Sequence, residues 1–436
     1  MDYFITILYV IIVLLRPQDY VTLIEGWRLG DAVAPFAILA LLLSFMNQRK
    51  MAIWKTTQPY MVLGIWFMMV FTYVVKTFAT EISMTFEYFA RVAIPCLLIM
   101  VSVNSKRRLY GILALMGLFV LQFTIHAYMQ YFTGTGLGGH PAIWWGTEHM
   151  RLEARGPYGG PNELSTIYAM GVVGCLAIAR AYLPNIAKAL PFFALAPVFF
   201  FPMWWTQSRQ ALVTIAAGVG VSFAPKKLLN SWWAMLIAAG VFFGAAQLHG
   251  RFSGESLTGD NSVRKRATAL TAGIRVWKNH PIVGVGRFRS RDAAGVKMPL
   301  HNSYIIMLAE NGFPGLFFYV SLIFLTLWQL YYLARLTPDN PEDKRNLLLA
   351  RFLLAIIAAM AAGAYFQNRP YHLDSYIYLS LGACFISLMI RRYPDVMPNY
   401  FYFKWFRWPG GLIFAGLTCA IIVLMHLTSK IFFMMG

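Results

Sequence analysis

Charge is what this chain has least of. Only 13% of its 436 residues are Asp, Glu, Lys or Arg, whereas a soluble globular domain carries about 25%. Hydrophobic residues make up 58% and the mean hydropathy is +0.57. Carboxylates are scarcer than cations, 18 against 37, for a formal net charge of +19. The four cysteines, Cys96, Cys175, Cys384 and Cys419, lie in apolar runs without C-x-x-C spacing, which excludes a disulfide framework. There is no D-x-D, H-E-x-x-H, Walker-type glycine loop or G-x-S-x-G elbow. Neither a resident metal, a cofactor nor a nucleotide-driven pump is expected. A soluble enzyme and a disordered chain are excluded as well.

What is present is a succession of apolar runs, from 3–15 through 32–46, 59–75, 86–103, 109–129, 164–183, 190–205, 210–223, 232–248, 304–334, 349–366 and 375–390 to 411–429. A bilayer core ~30 Å thick takes ~20 apolar residues per helix. The pattern predicts an all-α polytopic membrane protein of about 12 transmembrane helices (12–13), one integral membrane domain over 1–436. Residues 3–15 read as a short first span, because Arg16-Pro17-Gln18 is no small-residue cleavage site. Two long outer loops, 130–163 and 249–303, are expected to contain short amphipathic helices.

With the amino terminus inside, the loops obey the positive-inside rule except for segment 249–300. That segment holds ten Lys and Arg against Glu255, Asp260 and Asp292. A basic surface on the outer face points to an anionic partner held beside the membrane, such as a lipid-linked phosphate or diphosphate. It argues against nucleic acid, which lies on the other side.

Three places carry candidate chemistry. Arg209, in Trp204-Trp205-Thr206-Gln207-Ser208-Arg209-Gln210, is an ionisable residue at or near membrane depth, where charge is costly. Residues 263–280 form a basic amphipathic helix, capped by Asp260 or Ser262 and stopped by Asn279-His280-Pro281, with Arg264, Lys265 and Arg266 in its first turn. Backbone N–H groups and guanidinium forks there suit a phosphate. Gly284 and Gly286 suggest close backbone approach ahead of Arg287 and Arg289. His301, in His301-Asn302-Ser303-Tyr304 below the basic loop, is a candidate general base, since an imidazole titrates near working pH. His126 and His426 fall in apolar runs and read as packing residues.

The motifs form an ordered array. Arg155-Gly156-Pro157 and Gly160-Pro161-Asn162-Glu163 come first, then Ser208-Arg209-Gln210-Ala211. Ser262 to Arg266 follow, ahead of His280-Pro281-Ile282-Val283-Gly284-Val285-Gly286. His301-Asn302-Ser303-Tyr304 and Glu310-Asn311-Gly312-Phe313-Pro314-Gly315 close it. Over residues 150–320 this array resembles the O-antigen ligase/polymerase superfamily. The resemblance implies a bacterial inner-membrane glycosyltransferase that takes a glycan from undecaprenyl diphosphate at the periplasmic face, without metal or nucleotide. In its ligases the acceptor is a sugar of the lipid A–core oligosaccharide. Carried over by position, Arg209, Arg266 and His301 would be essential. Arg155 and Asn162 would belong to a further motif, with Arg264 and Arg275 as rivals to Arg266. The other basic residues of 249–300, Arg287 and Arg289 among them, would hold phosphates of donor or acceptor. An O-antigen polymerase or a protein O-glycosylation ligase would share these motifs. A transporter of lipid-linked glycan would instead place its ionisable residues at the bilayer midplane.

Overall fold

The computed structural model describes residues 2–44, 51–76, 79–145, 149–154, 158–208, 210–224, 261–296, 299–336, 340–395 and 397–434. Helix α1 (Asp2–Val10) continues as a π-turn over Ile11–Leu15, and α2 (Leu29–Ser44) follows. Next come α3 (Gln58–Val75), α4 (Ala79–Ser102), α5 (Lys106–Thr133), α6 (Pro161–Tyr182), α7 (Ile186–Trp205) and α8 (Gln210–Phe223). The amphipathic α9 (Asn261–Asn279) precedes α10 (Ser303–Arg335), α11 (Pro341–Ala364), α12 (Leu373–Arg392) and α13 (Gly411–Met434).

Among the described residues nine helices are long and apolar enough to cross a membrane, and α2 and α8 are apolar but shorter. The chain is an all-α, multi-pass membrane protein. Every expected apolar run coincides with a helix except 232–248, which lies outside the described residues.

Helix α12 is the centre of the bundle. Of its apolar stretch 89% is buried, against 28% for α7 and 22% for α13, which turn most of their surface outward. Lipid is as apolar as leucine, so close packing and interhelical hydrogen bonds hold such a bundle together. A Cβ on Gly218 of α8 would lie 2.5 Å from Val173 of α6, and one on Gly382 of α12 would lie 2.8 Å from Thr326 of α10. Gln58 of α3 donates to Gln329 of α10 at 2.7 Å, and Gln329 donates to the Tyr400 carbonyl at 2.7 Å. At one end of the bundle Glu342 of α11 accepts from Lys106 of α5 at 2.9 Å and from Arg392 of α12 at 2.7 Å. Three helix ends are thereby tied together opposite the motif-bearing loops.

The two outer loops correct the expectation of short amphipathic helices in one case and refine it in the other. Loop 134–160 contains a 3-10 turn (Leu137–Gly139) and an antiparallel ribbon, β1 (Ile143–Trp145) with β2 (His149–Arg151), in register Ile143 with Arg151. Aromatic and β-branched residues such as Ile143-Trp144-Trp145 favour a ribbon over a helix. His126, expected as a packing residue, pins this loop. Its Nδ1 accepts from Leu137 N at 3.0 Å and its Nε2 lies 2.8 Å from the Glu153 carbonyl, so Nε2 carries the proton. In the second loop α9 buries Ala269, Leu270, Ile274 and Val276, and it packs on α10 and α13.

Candidate functional site

The amino-terminal ends of α6, α8, α10 and α12 meet around residues drawn from three separate motifs. Helix α6 starts at Gly160-Pro161-Asn162, where Pro161 occupies the first turn, in which its missing N–H costs nothing. The Asn162 side-chain oxygen accepts from Ser208 Oγ at 2.9 Å, and its carbonyl accepts from Gln210 Nε2 at 2.7 Å. Both neighbours of position 209 are thus bound to one residue of the Gly-Pro-Asn-Glu motif. From β2, Arg151 donates twice to the Thr206 carbonyl at 3.3 Å, fastening the ribbon to the same turn. Arg209 itself, like Arg155, lies outside the described residues.

A residue that the motif reading passed over joins the Gly160–Glu163 motif to the His301–Tyr304 motif. Arg369 sits in the link between α11 and α12. Its Nη2 donates to Asp374 Oδ1 at 2.8 Å, and the two side chains are only 3% and 6% exposed. Its Nη1 donates to the Glu163 carbonyl at 3.3 Å, and its backbone N–H donates to Ser303 Oγ at 3.0 Å. Ser303 in turn donates to the Gln367 carbonyl at 2.9 Å. Arg369 therefore fixes the first turns of α6, α10 and α12 relative to one another. The available sequence signal was an Arg five residues before an Asp at the boundary of two apolar runs, since charge near membrane depth comes paired.

Next to Ser303, Asn302 caps α10 by accepting from Ile305 N at 3.0 Å. His301 precedes it with φ +47°, a left-handed conformation that a non-glycine residue rarely adopts. That backbone departure, in a segment held by Ser303 and Asn302, sets the direction from which the imidazole leaves the chain.

Glu310 organises the remaining motif. It is 2% exposed and accepts from Phe288 N at 2.9 Å, Ser290 Oγ at 2.7 Å and Tyr371 OH at 2.8 Å. The backbone locks beside it: Val285 N donates to the Ala309 carbonyl and Gly286 N to the Glu310 carbonyl, both at 2.9 Å. Phe313 N donates to the Pro281 carbonyl at 2.8 Å. Gly284 (φ +72°) and Gly312 (φ +67°) are needed because a Cβ on either would lie within 2.4 Å of the opposing backbone oxygen. The close approach expected at Gly284 and Gly286 is real, and it is made with the protein's own chain. The Pro281–Gly286 and Glu310–Gly315 motifs form one lock.

That lock directs Arg287 and Arg289 toward α4. The Arg287 guanidinium stacks 3.8 Å from the Tyr88 ring centre, with Nε and Nη1 buried and without protein partners. Arg289 pairs with Glu81 at 2.6 Å, so a phosphate there would have to share its charge. Arg275 is exposed on α9. Arg264 and Arg266 lie on the first turns of α9 by backbone, and their side chains lie outside the described residues. At the end of the Arg369 link, burial and the nearby Arg369 charge push His372 well below an ordinary histidine, leaving a neutral imidazole. Burial and the Glu310 carboxylate push the Tyr371 hydroxyl well above its usual value.

Among the described residues no group of three or more His, Cys, Asp or Glu side chains gathers to hold a metal ion. The polar set combines guanidinium, amide, hydroxyl and imidazole with carboxylates already engaged by the protein, Glu310, Asp374 and Glu81. No protein-family model matches the chain, and no curated protein matches it in sequence.

Proposed function

We propose that this protein is a lipid-carrier-dependent glycosyltransferase of the bacterial inner membrane. In this reading it has about 12 spans and its active site faces the periplasm. It moves O-antigen polysaccharide from undecaprenyl diphosphate to a sugar of the lipid A–core oligosaccharide during lipopolysaccharide biosynthesis. The observation that carries the reading is the convergence at the Arg369 link and at Asn162. Three motifs spread over about 140 residues of sequence meet at one end of the bundle through Asn162, Glu163, Ser208, Gln210 and Ser303, with Arg369 joining two of them.

The chemistry asks little of the protein beyond positioning and charge. An acceptor hydroxyl attacks the anomeric carbon, and the bond from that carbon to the diphosphate oxygen breaks. Undecaprenyl diphosphate leaves with the bonding electrons, and the configuration inverts. His301 takes the hydroxyl proton. Arg209 and Arg266 neutralise charge developing on the leaving group. Arg155, Asn162, Arg264, Arg275, Arg287 and Arg289 hold the donor diphosphate or acceptor phosphates, with Asn162 also fixing the turn that carries Arg209.

The test is transfer by purified protein in liposomes, given lipid-linked glycan, lipid A–core acceptor and EDTA. Arg209→Ala and Arg266→Ala are expected to abolish the glycan-bearing lipid A product while the protein still elutes as a folded species. Transfer that survives both changes refutes the mechanism. Longer glycan left on undecaprenyl diphosphate would make the protein a polymerase. Absence of both products would send the search to a protein acceptor or to transport.

A further inference from the structure

A chamber with charged pairs set in a largely apolar wall lies beside the motif residues and was not part of any motif. It is a cavity of about 410 Å³ between the Arg16–Asp31 segment, the outer half of α4, Tyr158 and the 371–373 link. Its volume falls within the range of ligand sites, about 300–1,000 Å³. Three guanidiniums and two carboxylates line it in ready-made pairs: Arg16 with Asp19 at 2.6 Å, Arg28 with Asp31 at 2.6 Å, and Arg91 with Asp31 at 3.2 Å.

Arg91 decides what kind of space this is. It lies within the apolar helix α4, yet its side chain is 54% exposed. A charged side chain at such a depth faces a water-filled cavity, not lipid tails. The chamber is therefore wet and opens to the outer side, where Arg16, Arg28 and Tyr158 also lie. Two further polar atoms on its wall, Gln18 Oε1 and His372 Nδ1, are buried and have no hydrogen-bond partner in the protein. Buried polar atoms of native proteins are nearly always paired, so these two mark the wall as incompletely satisfied.

The lining discriminates between ligand classes. A phosphate favours unshared cations, and here each arginine already leans on a carboxylate. A metal cation is disfavoured by the excess of guanidinium. An acyl chain would meet the apolar wall but leave five charges desolvated and unanswered. A sugar hydroxyl both donates and accepts, and alternating guanidinium and carboxylate groups satisfy both capacities at once. Trp27, 60% exposed at the edge, offers a flat face for the apolar side of a pyranose.

We propose that this cavity is a saccharide subsite that holds a pyranose ring of a glycan at the outer face of the membrane. The identity of that glycan rests on the transferase reading; the binding of sugar does not. The floor of the subsite is continuous with the Arg369 link, because Tyr371 and His372 line the cavity while Arg369 holds the starts of α6 and α10. A sugar seated there has its neighbour beside the motif residues.

The experiment uses the full chain in nanodiscs with two probes, core oligosaccharide freed of lipid A and repeat-unit oligosaccharide freed of its carrier. Saturation-transfer NMR is expected to show ring-proton contact for at least one probe. Trp27→Ala, an exposed position that leaves packing intact, and Asp31→Asn should each weaken it about tenfold. Absence of contact with wild-type protein, equal contact in wild type and both variants, or displacement by inorganic phosphate overturns the inference. A transfer assay on the same nanodiscs separates the two ideas. Sugar contact without glycan transfer removes the transferase and keeps the subsite. Transfer with unchanged KM and contact in both variants keeps the transferase and removes the subsite.

Discussion

Asp374 and Arg369 show how a single pair can position a site without taking part in its chemistry. Both side chains are buried, and their attraction offsets a desolvation cost that neither could bear alone. Arg369→Met leaves Asp374 charged and unpaired, and it should lower stability by about 3–5 kcal/mol. Arg369→Met combined with Asp374→Leu should recover a large part of that loss, because no isolated charge remains. Unfolding in mild detergent, followed by tryptophan emission, checks both. A double variant as unstable as the single one would mean that the hydrogen bonds to Glu163 and Ser303 carry the energy. At this scale the sequence was partly legible. Asn162 and His301 stood out because they sit in short polar motifs between apolar runs. Arg369 did not, because its partners lie 5, 66 and 206 residues away.

Helix α9 was legible, since its stop is written in local chemistry. Asn279-His280-Pro281 promised a break at one end, and the helix, expected over 263–280, runs Asn261–Asn279 with Ser262 inside it, while Asp260 lies outside the described residues. The loop that follows was only half legible. Two glycines flanking Val285 announced a close approach but could not name the partner, which is the backbone of α10 at Ala309 and Glu310. The ribbon in loop 134–160 was missed because its pairing depends on six residues closing on themselves in a segment also pinned by His126 and Gln130. Gly284→Ala tests the lock as an element. The new methyl would lie 2.4 Å from the Glu310 carbonyl oxygen, an immovable backbone atom, at a φ that costs a side chain about 1 kcal/mol or more. The hydrogen bonds of Val285 and Gly286 should break and the segment bearing Arg287 and Arg289 should come loose. Limited proteolysis is expected to cleave the variant between residues 280 and 300 at protease levels that leave the wild type intact. Equal resistance would mean that Glu310 alone holds the loop.

Across the whole molecule, the distribution of charge makes a claim that packing alone cannot. The described motif residues lie at one end of the bundle, and the Lys106–Glu342–Arg392 cluster lies at the other. The proposed orientation puts the second end in the cytoplasm, because short loops rich in Lys and Arg stay inside while a long loop such as 249–303 crosses regardless of charge. Two exposed positions report on this directly: Arg291, 54% exposed in the basic loop, and Lys344, on the first turns of α11. The native thiols interfere little, since Cys96, Cys175 and Cys384 are buried and Cys419 lies within the apolar helix α13. A charged maleimide added to intact spheroplasts should modify Arg291→Cys at once and reach Lys344→Cys only after the membrane is permeabilised. The reverse pattern would put Arg209, Arg266 and His301 on the cytoplasmic side. A glycan already flipped on undecaprenyl diphosphate could not reach them there, so the transferase reading would fall on topology alone, before any activity was measured.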